Sequence, residues 1–391
     1  SASGQDLIDL LKVVPTEDDR DAFLWMVFGA EHHPKHHVFA AYSYFLDELT
    51  RLEENRERGQ AKITVEDIAL AVLDGIECVQ ITAEEEDNVH RIFESLNNRG
   101  MVLTQADLIR NYVFMRLEGS KNDGHFHEFT WMPRFEKPFT AEELTMLFWL
   151  DLVRTDVTVQ QTRTYEAQQK RLERLTTPAK LRNELDRIAD YGEHWQLILH
   201  PERENSLKVR RRLQRLNDWG TTTVYPVLMY LLEQRAHGQA GTSEIARAML
   251  ILESYFVRRV LVGQGTMNMN HVLLSAPKAM ERAKGDDALD VVLRRYLSEA
   301  KPALATDDEV KSAILHARFY GRGRAPQRTL VLKWIDESFG DDHVEHQSKL
   351  TIEHIMPRNL NAAWRKELKH GLKPGENVAE LHKELLDTLG N

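Results

Sequence analysis

A chain of 391 residues is too long for one ordinary core and is expected to form two or three domains. Its 42% hydrophobic and 29% charged residues exclude wholesale disorder, and no apolar run approaches the length of a membrane span. A net charge of −10 excludes a histone-like coat of DNA, and the single Cys78 excludes an internal disulfide framework and fits a reducing cytoplasm.

Residues 1–65 read as helices, with one apolar stripe at Leu7, Leu10 and Leu11 and another at Val38, Tyr42, Phe45, Leu46 and Leu49. Thr64 opens a further helix as its cap, with acids in the first turn. Val79–Ala83 is the clearest strand. A helix follows to about Leu96 and is stopped by Asn97, Asn98, Arg99 and Gly100. Thr104 caps the next, whose Leu108, Tyr112 and Met115 share a face. Lys121–Pro138 reads as a loop. From Thr140 to about Leu304 nearly everything reads as amphipathic helix, broken near Pro178, Pro201, Gly220, His237–Thr242 and Gly263–Asn270. Helices over Ala303–Leu315 and Leu330–Phe339 precede a polar linker, Gly340–Lys349, and a strand beginning at Thr351. The start at Ser1 without Met, and the stop at Asn391 where an ordered element is about to begin, read as a piece of a longer protein.

Positive charge is segregated. Lys208, Arg210, Arg211, Arg212 and Arg215 form one cluster, which reads equally as a phosphate-binding face or as a solvated helix face. Lys311, Arg318, Arg322, Arg324, Arg328 and Lys333 form another, without an acid between its ends. Gly321, Gly323 and Pro326 place its arginines on a loop, which favours function. The histidines at 32, 33, 36 and 37 tempt as a metal site, but Pro34 breaks the spacing and a solvated loop is the better reading; His125 and His127 read the same way. Trp131, Trp149, Trp195 and Trp219 read as core, and Asn268, Asn270 and His271 as a plain loop.

Two strings carry chemistry. Glu353 and His354 place a carboxylate beside an imidazole on a strand. A one-metal nuclease needs a base for water, which imidazole supplies near neutral pH, and a cation to neutralise the scissile phosphate. Adjacent strand residues face opposite sides, so both reach one metal only if the strand bends. The plain alternative is a surface strand with a polar face. Around Arg91–Gly100 and onward, Glu94, Asn97, Arg99, Asp107, Arg110 and Asn111 cluster at a helix–turn–helix joint, where they either bind phosphate or base edges or cap helices and pair with one another.

The string Ile-Glu-His-Ile-Met-Pro at 352–357, then Trp364, then Leu389-Gly390-Asn391, resembles the C-terminal HNH-type domain of the GmrSD family of modification-dependent restriction proteins. Ile-Phe-Glu-Ser-Leu-Asn-Asn-Arg-Gly at 92–100, with Leu-Thr-Gln-Ala-Asp-Leu-Ile-Arg-Asn at 103–111, resembles that family's ParB-like N-terminal domain, and the order matches. Phosphorothioate-sensing effectors fall in the same broad group. The resemblance implies His354 as general base, Asn391 as the asparagine supporting a ββα-metal site, and a further metal-site residue downstream of Asn391; Glu353, the carboxylate beside the base, is the candidate in this chain for helping to hold the metal. It places Glu94–Asn111 beside a nucleotide- or DNA-binding cleft whose Asp-Gly-Gln-Gln-Arg motif is absent here and belongs upstream of Ser1.

The resulting expectation is a mainly α protein. Residues 1–120 would be the C-terminal part of a ParB-like α/β domain, 121–340 a helical middle, and 341–391 an incomplete ββα-metal domain. Its function would be anti-phage restriction: an endonuclease cutting double-stranded DNA with Mg²⁺ or Mn²⁺, gated by DNA modification and by hydrolysis of GTP or another NTP. The candidate residues are His354 and Asn391 for catalysis, Glu353 for metal, and Glu94, Asn97, Arg99, Asp107, Arg110, Asn111, Arg322, Arg324 and Arg328 for nucleotide or DNA. The runner-up is a non-catalytic modification sensor or scaffold with a degenerate nuclease domain. A third reading is a nucleotide-dependent regulator. Homo-oligomerisation stays open.

Overall fold

The structure is a computed structural model, describing residues 17–28, 36–59, 63–77, 103–117, 126–283, 285, 287–316, 318–320, 325–339 and 354–391. The expected strands at Val79–Ala83 and Thr351, the string around Glu94, Asn97 and Arg99, and Arg322, Arg324 and Glu353 lie outside the described residues. Among the described residues the protein is mainly helical, with no strand. It divides into two compact units, Ser1–Asp87 and Asn88–Asn391.

In the first unit α2 (His37–Glu57) packs against α1 (Glu17–Phe28) and α3 (Val65–Gly75). His36 caps α2 by accepting from the Val38 amide, so this histidine is a helix cap. Thr64 and Asp67 close a reciprocal capping box on α3. The stripe at Tyr42, Phe45 and Leu46 is exposed.

The first described helix of the second unit is α4 (Gln105–Leu117), whose Ile109, Tyr112 and Val113 are buried. Within the loop expected over 121–138, the described residues form a π-helix, His127–Glu136. The reason lies in its spacing. Phe126, Trp131, Phe135 and Phe139 are all buried, and steps of four and five residues follow the wide period of an i→i+5 ladder better than that of an α-helix. His127 belongs to this helix and lies against the Phe114 ring rather than in a solvated loop.

Next come α5 (Ala141–Val153), α6 (Thr164–Leu172), α7 (Pro178–Leu199), α8 (Leu207–Trp219), α9 (Tyr225–Ala236), α10 (Thr242–Val262), α11 (Met269–Ala283), α12 (Leu289–Glu299), α13 (Asp307–His316) and α14 (Ala325–Glu337). Their starts carry ordinary signals: a Thr140–Glu143 capping box on α5, and a Thr177 cap with Pro178 in the first turn of α7. Gly220 and Gly263, at φ of 70° and 72°, end α8 and α10 in the left-handed conformation that a side chain would strain. α10 packs on α8, α12 and α13; α9 bridges α7 and α11; and α14 lies against α8. The shared core contains Trp131, Trp195 and Trp219, and Trp219 stacks on both Phe256 and Trp334. The indole N–H groups of Trp131 and Trp195 reach Glu136 and the Glu143 carbonyl, which lets these rings be buried without an unpaired donor.

His194 on α7 gives this unit a pH dependence. Burial pushes its imidazole down to about 4, and the nearby positive groups of His237, Arg235 and Arg154 add to the effect. A depressed folded-state value means the folded protein binds fewer protons than the unfolded chain. The stabilisation from neutral His194 is therefore complete above about pH 6.5 and is lost as pH falls from there towards 4. Between pH 7.5 and 5 the wild type is expected to lose about 1–2 kcal/mol more than His194→Gln in chemical denaturation. Parallel curves for the two proteins would show that His194 does not contribute.

Candidate functional site

The C-terminal residues fold around Asn391. α15 (Ala362–His370) is capped by Asn361, which accepts from the Trp364 amide, and α16 (Val378–Leu385) is capped by Asn377. The two helices pack together. The chain then turns through residues 386–391 and comes back against the segment His354–Met356.

That return is held by one side chain. Asn391 is 8% exposed. Its Oδ1 accepts from the Met356 amide, and its Nδ2 donates to the Leu386 carbonyl at 2.7 Å and, at 3.4 Å, to that of Met356. Its backbone oxygen accepts from the Ile355 amide at 2.8 Å. Both ends of the amide are therefore engaged by backbone, and Asn391 acts here as a clamp. His382 adds a second tie, its Nε2 lying 3.0 Å from the Pro357 carbonyl.

The clamp fixes His354, which begins this segment and is half-buried. Its ring lies 4.7 Å from that of Tyr320, centre to centre, tilted by 47°. Tyr320 is fixed in turn: its amide donates to the Asp387 carbonyl at 3.1 Å, and the neighbouring Phe319 is 2% exposed. Burial pushes the Tyr320 phenol up, so it stays a neutral hydroxyl at physiological pH. Three remote pieces of sequence thus meet: Phe319–Tyr320, His354–Met356 and Asp387–Asn391. The contribution of Tyr320 is absent from the sequence reading. The available signal was only that a Phe-Tyr pair opens the Gly- and Arg-rich stretch.

The remaining candidates are placed differently. Asp107 closes a capping box with Thr104, and Arg110 pairs with Glu136 at 3.0 Å with its guanidinium near Phe114. Asn111 lies on the same helix, α4, partly buried. Arg328 is on the first turns of α14, not on the loop expected for it, because the helix begins at Ala325 and takes in Pro326 at a position where proline is tolerated. Among the described residues no three His, Cys, Asp or Glu side chains gather so as to hold a metal ion. Glu353 lies outside them.

Helices that pack a clamped histidine against a tyrosine define a small C-terminal module on a helical body. Residues 304–391 match the profile of the C-terminal domain of GmrSD restriction endonucleases. The match supports a restriction-endonuclease role in anti-phage defence and a DNA substrate. It includes α13, Tyr320 and α14 as well as His354 and Asn391. No curated protein and no solved structure matches the chain. No helix among the described residues is long and apolar enough to cross a membrane.

Proposed function

We propose that the protein cuts DNA phosphodiesters in anti-phage restriction, with His354 as the general base. The observation that carries this reading is the clamp: Asn391 fixes the backbone two residues from an imidazole that Tyr320 flanks, inside the segment matching the endonuclease profile. A base must be held in one geometry to contribute its usual hundredfold or more, and the clamp supplies that.

In the step itself, an imidazole nitrogen of His354 takes a proton from water. The water oxygen forms a bond to phosphorus as the bond to one ester oxygen breaks, and that oxygen leaves with a proton from solvent. A divalent cation such as Mg²⁺ or Mn²⁺ would neutralise charge on the phosphate. The described residues do not make up a ligand set for it. Gating by DNA modification and by nucleotide hydrolysis is part of the same proposal and rests on the sequence resemblance of residues 92–111.

The test is nicking of supercoiled plasmid, modified and unmodified, in Mg²⁺, in Mn²⁺ and in chelator, by the protein and by His354→Ala. Nicking by the wild type that falls by about a hundredfold or more in His354→Ala is the expected result. Equal nicking by both proteins removes His354 from the chemistry. Absence of nicking under every condition replaces the nuclease reading with a sensor or scaffold.

A further inference from the structure

Away from the clamp, α8 and α10 leave a groove of about 670 Å³ on their outer surface. Lys208, Arg211 and Arg212 line it from α8 and Arg247 from α10, and no acidic residue lines it. This is unusual on a chain of net charge −10. The acids that pair with these arginines sit behind them. Arg212 is held by Glu253, which is 4% exposed; Arg247 is held through two nitrogens by Asp290; and Arg211 is held by Glu337. Side chains of Arg211 and Arg247 remain 58% and 55% exposed, against 20% for Glu337 and 13% for Asp290. A guanidinium has five N–H donors, so one engaged from behind by a carboxylate still presents donors outward in a fixed orientation.

The spacing fits a phosphate chain. Lys208 stands one helical turn from Arg211 and from Arg212, at i+3 and i+4 and about 5–6 Å from each, so that successive phosphates of one strand can each meet a cation. Leu207 and Leu250, 74% and 45% exposed, flank the cations and offer apolar contact to the sugars. An acidic amphipathic peptide would also complement leucines among cations. Continuity with the nuclease module favours DNA. Arg211 and Arg215 pair with Glu337 of α14, and Trp219 of α8 stacks on Trp334 of α14, inside the segment that matches the endonuclease profile.

We infer that this groove holds the sugar–phosphate backbone of double-stranded DNA next to the nuclease module, independently of base sequence. The inference rests on the DNA-cutting reading only for the choice of ligand. The test is anisotropy of a labelled, unmodified duplex titrated with the full chain over a range of NaCl concentrations, using wild type and Lys208→Ala/Arg211→Ala. Glu337 retains Arg215 in the double variant, so its melting temperature should match the wild type. Loss of two phosphate contacts should weaken binding at low salt by at least about tenfold and make the slope of log K against log salt shallower by about two.

Unchanged affinity and slope in the double variant overturn the inference. So does a wild type that fails to bind duplex at low salt, or a groove whose charge loss affects only capture of polyglutamate, which would mark an acidic protein partner. The two readings fail separately. Groove-dependent binding without nicking removes the nuclease and keeps the groove, whereas nicking with groove-independent binding does the reverse.

Discussion

Asn391→Ala should release the His354–Met356 segment and reduce DNA nicking by about a hundredfold, with little effect on the melting of the helical body. The substitution removes the acceptor for the Met356 amide, in a buried bond, and the donor to the Leu386 carbonyl, in a partly buried one. A buried polar group left unpaired costs about 1–3 kcal/mol, so two of them amount to about 3 kcal/mol. That corresponds to a factor of roughly 100 in the population of the closed segment. Hydrogen exchange at the Met356 amide reports the opening directly and should accelerate by about that factor. Asn391→Asp keeps an acceptor but cannot donate to Leu386, so it should fall between alanine and wild type. If Asn391 acts only by holding His354, the His354→Ala/Asn391→Ala protein should nick no more slowly than His354→Ala alone, since residues acting as one unit are not additive. An unchanged Met356 exchange rate in Asn391→Ala would show that the clamp is not what orders this segment.

The local signals in the sequence were readable because their causes are local. Thr64 with Asp67, Thr140 with Glu143 and Thr306 with Glu309 are each three residues apart, and each closes the capping box that such spacing permits. Pro178, Gly220 and Gly263 mark boundaries because their backbones allow little else in a helix. The π-helix was not readable: its wide aromatic spacing and Pro133 resemble a loop to any test based on a period of 3.6. The basic cluster on α8 shows a different limit. The sequence could not tell that Arg212 and Arg215 lie against Glu253, or that Arg211 pairs with Glu337 far downstream. His354 stood out as an imidazole beside a carboxylate, but Asn391 was visible only through family resemblance, because the bond that organises the site joins Met356 to Asn391 across 35 residues and Tyr320 is tied to Asp387 across a longer stretch still. Nothing in the composition of those three short segments says that they meet.

Asp151→Ala should be among the most destabilising single changes in the second unit. Asp151 lies in the apolar run of α5 and is 1% exposed. Its carboxylate receives Arg187 at 2.7 Å and Arg171 more closely, with the Gln168 amide at 3.4 Å and Arg154 at 3.7 Å. One acid therefore joins α5, α6 and α7, and Glu184 pairs with both Arg171 and Arg187 from the other side at 2.7 Å. Removing the acid leaves three guanidiniums converging on a cavity, with Glu184 retained by Arg171 and Arg187 and Glu233 retained by Arg154. Breaking a buried pair by deleting one partner costs about 3–5 kcal/mol, and the retained Glu184 places the expectation near about 3 kcal/mol. Asp190→Ala supplies the contrast: it removes a carboxylate 73% exposed that pairs with Arg134 on the surface, and should change stability by less than about 1 kcal/mol. Urea denaturation of both variants measures the difference directly. A loss in Asp151→Ala no greater than in Asp190→Ala would mean that the buried network contributes no more than a surface pair. The burial of Asp151 makes the opposite the expected result: its desolvation is already complete in the folded state, and only the three arginines and Gln168 offset it.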